Sequence, residues 1–166
     1  MGLTMTEVSE PNWQRPNGLS LAQWMNNRLA LRATRHQDWE TFAGQAEKQP
    51  KHARAQIRYI TPGNHPGSVA PGSFMLVNIL MPPGHGSPSH RHDDAEEVFF
   101  VLRGNVKIVV RSGDEHYEQV LGPGDLLSVP PGLYRQEINV GQEEAVMCVV
   151  LGTAQPLPPI MEISKE

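Results

Sequence analysis

The stretch from Gly84 to Gly104, GHGSPSHRHDDAEEVFFVLRG, constrains the rest of the chain. Its first half is polar and its second, Val98 to Leu102, is apolar, so a buried strand has to start where the polar half ends. His90 and His92 lie two residues apart, which on an extended backbone puts both side chains on one face. Glu97 heads the apolar run. Two imidazoles and a carboxylate on an extended scaffold suit a divalent transition metal. A solvated polar loop ahead of a buried strand is the plainer reading of the same residues. It gives no reason, however, for that strand to open with acid at Glu96 and Glu97. By alternation Glu96 points the opposite way.

The spacing carries a resemblance. Gly84, His90, His92, Glu97 and Gly104, separated by five, one, four and six residues, resemble the first motif of the cupin family. The segment Gly124 to Asn139, GDLLSVPPGLYRQEIN, is similar to the second motif, with Gly124, Pro130, Gly132 and Asn139 at the family's positions. Nineteen residues separate the two motifs. The resemblance implies an all-β fold, a double-stranded β-helix or jelly-roll barrel with its site inside. It also implies a divalent metal on His90, His92 and Glu97.

One position departs from that pattern. Three residues after Gly132 the family places a histidine, and this chain has Arg135. Arginine stays protonated and has no lone pair to give a metal. The remaining two-histidine, one-carboxylate set is associated with non-haem Fe(II) and open coordination positions, with Zn, Mn and Ni as alternatives. Arg135 is open to two readings. It sits over the pocket as a catalytic residue binding an anionic substrate, or it pairs with Glu97 in a site that has lost its metal.

Length and charge bound the function. A chain of 166 residues with 39% apolar content suits one domain with a core. A formal charge of -4 and a pI near 6.0 give no basic footprint, so no nucleic-acid partner is expected. The absence of an apolar leader or long apolar span leads to the expectation of a cytoplasmic protein with no membrane partner. Cys148, inside AVMCVVL, reads as a small buried hydrophobe.

Residues 1–55 read as an N-terminal arm with one or two short helices, packing on the barrel or on a partner subunit. Leu21, Trp24 and Met25 have helical spacing behind a cap at Ser20. Arg28 to Arg32 fits a helix or a strand equally well. Arg35 to Lys48 is a weaker helix ended near Pro50, with Trp39 and Phe42 as core contacts. Residues 56–155 carry the barrel strands, among them Gln56–Ile60, Phe74–Met81, Glu97–Leu102, Leu126–Val129 and Ala145–Leu151. Around Arg135, alternation puts Leu133, Arg135 and Glu137 on one face and Tyr134, Gln136 and Ile138 on the other. Residues 156–166 read as an extended tail. Phe74 to Met81 is apolar on both faces, more than one small barrel covers, and this predicts a homodimer.

The leading functional expectation, implied by the resemblance, is an Fe(II)-dependent, dioxygenase-like enzyme for a small organic substrate, aromatic or anionic. Phe99, Val101 and Arg135 would form its pocket. The alternatives are a metal-poor binding or regulatory protein with an Arg135–Glu97 pair, and a metal-assisted isomerase or lyase. His85 is a solvated loop residue or a substitute ligand.

Overall fold

Alternation of apolar and polar residues governs the architecture. In the computed structural model, which describes residues 13–163, ten strands form two antiparallel five-stranded sheets. They are β1 (Ala55–Ile60), β2 (Met75–Met81), β3 (His90–Arg91), β4 (Glu97–Arg103) and β5 (Val106–Ser112), followed by β6 (Glu115–Leu121), β7 (Leu126–Val129), β8 (Tyr134–Asn139), β9 (Ala145–Leu151) and β10 (Ile160–Met161). One sheet runs β1-β2-β9-β4-β7 and the other β10-β3-β8-β5-β6. This is the jelly-roll pattern the sequence predicts. The expected arm at residues 1–12 and the last three residues of the tail lie outside the described residues.

The core lies between the sheets. From the first sheet it takes Val77, Ile79, Met81, Phe99, Val101, Met147 and Val149, each in the inward register of its strand. From the second it takes Val106 and Ile108. On β8 the inward residues Arg135, Glu137 and Asn139 are all buried, as alternation predicts, but all three are polar. Asn139 is satisfied by the backbone: its Nδ2 donates to Met81 O (2.9 Å) and Glu143 O (2.7 Å), and its Oδ1 accepts from Gly141 N. It clips three segments together at one end of the barrel. At that end Gly104 turns the chain with φ +81°, close against Ala145, where a side chain has no room.

The N-terminal region packs on its own barrel. Ser20 caps α1 (Leu21–Asn26) in a capping box with Gln23. Of Arg28 to Arg32, the first four residues are neither helix nor strand, and Arg32 opens a short 3-10 helix, Arg32–Thr34. The second helix, α2 (Ala43–Lys48), is shorter than predicted. The residues before it extend to pair Asp38 with Gln56, which Arg58 stabilises by an ion pair to Asp38 at 2.5 Å. That guanidinium, with help from Thr41, holds the Asp38 carboxyl well below the usual carboxylate range. The tail also differs from expectation, because β10 joins the second sheet beside β3. No helix among the described residues is long and apolar enough to cross a membrane.

Gly86 fastens the N-terminal region to β8. Its N–H donates to Lys51 O, its carbonyl accepts from His52 Nδ1, and it bridges to Ile138. A Cβ there would meet Glu137 O at 2.1 Å. We expect Gly86→Ala to cost at least ~1–3 kcal/mol in urea unfolding, since backbone must move to relieve the overlap. Gly44→Ala, in α2 with open space around it, should instead stabilise by ~0.5–1 kcal/mol.

Candidate metal centre

His90 stands on β3, His92 just beyond it, and Glu97 is the first residue of β4. The two strands belong to different sheets, so the site forms where the sheets face one another. All three side chains are buried. The Nε2 atoms of His90 and His92 each lie 3.9 Å from the same atom, Glu97 Oε2. One donor atom from each of the three residues falls within 4.8 Å of the others. The rings stand edge to face, 5.4 Å apart. Glu96 is exposed and accepts a hydrogen bond from the Ser128 hydroxyl on the outer side, as alternation requires.

The protonation states suit cation binding. His90 Nδ1 lies 2.9 Å from Pro88 O, which can only accept, so Nδ1 donates and Nε2 is the ring nitrogen nearest Glu97. Burial, then the neighbouring His90 and Arg135, hold His92 down to about 4, which keeps it neutral. Burial, with Glu137 adding repulsion, pushes the Glu97 carboxyl up to about 8, against the opposing pull of Arg135 and Arg54. The Arg135 guanidinium, with Nε 3.5 Å away, does not offset that burial. Glu97 Oε2 has no hydrogen-bond partner among the described residues. A divalent ion bound by two imidazoles and this oxygen would supply the missing charge, so the donor set fits such an ion.

Arg135 is fully buried and sits opposite His90 in the β3–β8 register. Its Nη2 donates to Pro130 O (2.9 Å) and Val129 O (3.3 Å), and its Nε stands 3.5 Å from Glu97 Oε2. The guanidinium is therefore tied to backbone behind the three donors.

A cavity of about 220 Å³ opens beside the trio. Its walls correct the pocket read from sequence. Phe99, Val101 and Arg135 are fully buried, and none of them borders this space. Phe99 and Val101 share the parity of Glu97 but lie further along β4, where the core closes. Val77, Ile79, Val149 and Leu151 form the apolar wall instead. The segment read as a tail contributes Leu157, Pro159 and Met161. Phe42, expected in the core, lines the cavity too. His85 faces away, with Nδ1 2.6 Å from Ala53 O.

Two ionisable residues at the cavity had no role in the sequence reading. Glu137 is buried, borders the space and has an unpartnered Oε2. Its signal was available, since it is two residues from Arg135 on the same face. Arg54 is 4% exposed and borders the same space. Nothing in its local sequence marks it, because the placement comes from the tertiary packing of the segment before β1.

The opposed shifts of Glu97 and His92 predict a pH signature for metal-free protein. Glu97 keeps its proton in the fold from its ordinary 4.5 up to about 8, so stability falls as pH rises through that window. His92 has the reverse effect between about 4 and its ordinary 6.5, where unfolded chains bind the proton more readily. Of these two residues, only Glu97 acts above 6.5. The melting temperature in chelator should thus drop between pH 6.5 and 8, and Glu97→Gln should flatten that drop. Added Mn(II) should stabilise more at pH 8 than at pH 6.5, because binding displaces the Glu97 proton. A chelated wild-type profile that stays flat across this window would contradict the assignment.

Comparison with known proteins agrees with the fold and the motifs. Residues 77–151 match the family model described as Cupin domain. Germin-like protein 1 of Brassica napus is 32% identical over 136 residues, 70% of this chain and 66% of that protein. Germin-like protein subfamily 1 member 5 of Arabidopsis thaliana is 27% identical over 66% of this chain, which spans 60% of that relative's length. Among solved structures, a recombinant oxalate oxidase in complex with glycolate aligns with TM-score 0.51 and 26% identity, over 54% of this chain and 46% of the other. The Drosophila melanogaster CENP-C cupin domain aligns with TM-score 0.57 at 12% identity, covering 76% and 81%, a likeness of fold alone. With both motifs in place, their residues on facing sheets and these relatives, the chain belongs to the cupin superfamily.

Proposed function

We propose that this cupin is a metal-dependent enzyme, Fe(II) dioxygenase-like in its chemistry, that acts on a small organic acid held in the cavity beside His90, His92 and Glu97. The observation that carries this reading is the state of Glu97 Oε2. It is buried, equidistant from two imidazole nitrogens and without a hydrogen bond. An arginine that had taken over from the metal would meet the carboxylate with a two-pronged contact at ~2.7–2.9 Å. Arg135 offers one nitrogen at 3.5 Å and spends Nη2 on backbone carbonyls. It is a supporting group that steadies Glu97, not a substitute for the ion.

A bound iron would supply redox chemistry with dioxygen at its open positions. The protein's own part is positional. Pro88 fixes the tautomer of His90, Arg135 holds Glu97 from behind, and the aliphatic walls keep bulk water from the reacting end of the substrate. The oxalate oxidase relative whose structure holds glycolate supports an organic acid as substrate. Here the wall of valine, isoleucine and leucine favours a larger apolar body than glycolate has.

The outer face of the first sheet also bears on the assembly. Phe100, Leu102 and Leu126 are exposed there, beside half-buried Val98, Cys148 and Val150. Burial pushes the Cys148 thiol up, so it is an apolar residue of this face and not a nucleophile. A patch of this kind marks an interface, and we assign it to a second copy of the chain.

Metal analysis by mass spectrometry should find one divalent ion per chain, and His90→Ala or Glu97→Ala should abolish it. Arg135→Met should retain the ion while lowering stability, whereas Arg135→His should raise metal affinity by roughly tenfold or more by adding a ligand. Wild-type protein purified with no bound metal and unable to take up Fe(II), Mn(II) or Zn(II) would overturn the proposal. Sedimentation at micromolar concentration should show a dimer, and Phe100→Lys should give monomers that keep their metal.

A further inference from the structure

The cavity beside the trio is also lined by a buried cation, Arg54. Arg54 is the last residue before β1, and its position is fixed by three neighbours. Its Nη1 donates to Gln45 Oε1 (2.8 Å) and His52 O (2.9 Å), and its guanidinium lies 3.8 Å from the centre of the Phe42 ring. Both hydrogen bonds use Nη1. Nε has no partner, although the residue is 96% buried. Arg54 enters none of the ion pairs among the described residues, and it borders the same space as the trio.

A guanidinium held by one nitrogen on uncharged acceptors, with its Nε/Nη2 edge uncommitted, is an anion receptor that has been oriented in advance. Removing this cation from water is costly unless a charge or a hydrogen-bond acceptor compensates it. Glu137 and Glu97 lie near enough to favour the charged guanidinium against its burial, yet its hydrogen bonds go to Gln45 and His52 instead. The charge count points the same way. Among the buried residues Arg54 and Arg135 match Glu97 and Glu137 even with both carboxylates ionised, so a divalent ion on the trio leaves this buried set two positive charges in excess, with only the exposed Asp93 and Asp94 beside it.

We propose that Arg54 is the specificity-determining residue of the cavity: its Nε/Nη2 edge takes the carboxylate of a small monocarboxylic acid. The acid's apolar body lies along Val77, Ile79, Val149 and Leu151 and reaches toward the His90/His92/Glu97 trio. This deepens the functional reading above and rests on it for the reacting end, but the contact with Arg54 does not require the metal. The shape of the cation selects for the ligand, since a side-on guanidinium edge matches the two oxygens of a carboxylate. Neutral amides of the same outline offer one acceptor and bring no charge. Arg135 does not serve this purpose, because it is fully buried behind the trio and tied to Pro130 and Val129.

The test compares matched probes on the full chain, metal-free and Mn(II)-loaded. Benzoate and 3-methylbutanoate are titrated calorimetrically against benzamide and 3-methylbutanamide. Wild type should bind at least one acid tenfold or more tightly than its amide, and should do so in the metal-free form as well. Arg54→Gln should erase that preference, leaving amide binding within twofold and metal content unchanged. Arg54→Lys should restore part of it. A measurement on wild type guards against misfolding of the variants: the Arg54 Nε–H resonance should shift on addition of the acid and stay in place with the amide. A role for Arg54 limited to packing on Phe42 and Gln45 would alter stability but not the acid-to-amide ratio. The assignment falls if wild type shows no such preference, or if Arg54→Gln keeps it. Loss of metal binding in wild type with the acid preference intact would overturn the metal reading alone.

Discussion

The structure depends on one buried oxygen. Glu97 Oε2 lies 3.9 Å from two imidazole nitrogens, out of water and without a hydrogen bond, with Arg135 Nε 3.5 Å away, and a buried polar atom left this way is a site for a further partner. Its neighbours are arranged around that need. β3 and β4 lie in different sheets so that the donors can face one another. Arg135 stands behind Glu97 without closing on it, and His92 is kept neutral by its surroundings. A more tightly paired Glu97 would give a more stable barrel and a poorer receptor for a cation.

This arrangement revises what the histidine-to-arginine exchange in the second motif means. Seen in sequence, Arg135 invites two roles, substrate contact or metal replacement. Seen in the fold, it takes a third. The β3–β8 register brings it opposite His90, and two backbone carbonyls anchor it. A cation in that place lowers the cost of ionising the adjacent carboxylate while keeping its distance from any ion bound in front. The task of meeting an anion passes to Arg54, on a segment with no motif at all.

What the sequence made legible was whatever alternation and spacing control. The strands, the inward face of Arg135 and Glu137, the outward turn of Glu96 and the convergence of His90, His92 and Glu97 all follow from a period of two and from motif positions. What it did not reveal depends on packing between distant segments. Phe99 and Val101 have the right parity for a pocket wall, but parity does not say how far along β4 the cavity extends. Arg54 and Phe42 reach the site because the N-terminal region folds back over the open end of the sheets. Pro156 to Met161 reads as an extended arm by composition, and it is extended, yet it is a structural wall. Local pattern has no access to such docking.

That last segment has a consequence for the order in which the molecule is made. β3 is two residues long and lies between β8 and β10, with His90 opposite both Arg135 and Met161. Ser89 O accepts from Glu162 N, and Arg111 pairs with Glu162, so the strand carrying the first histidine is gripped by residues that follow the other nine strands in the chain. A nascent chain can pair β4, β5 and β8 while β3 still has a free edge. The wall of the candidate metal pocket is therefore complete only once β10 has docked beside β3.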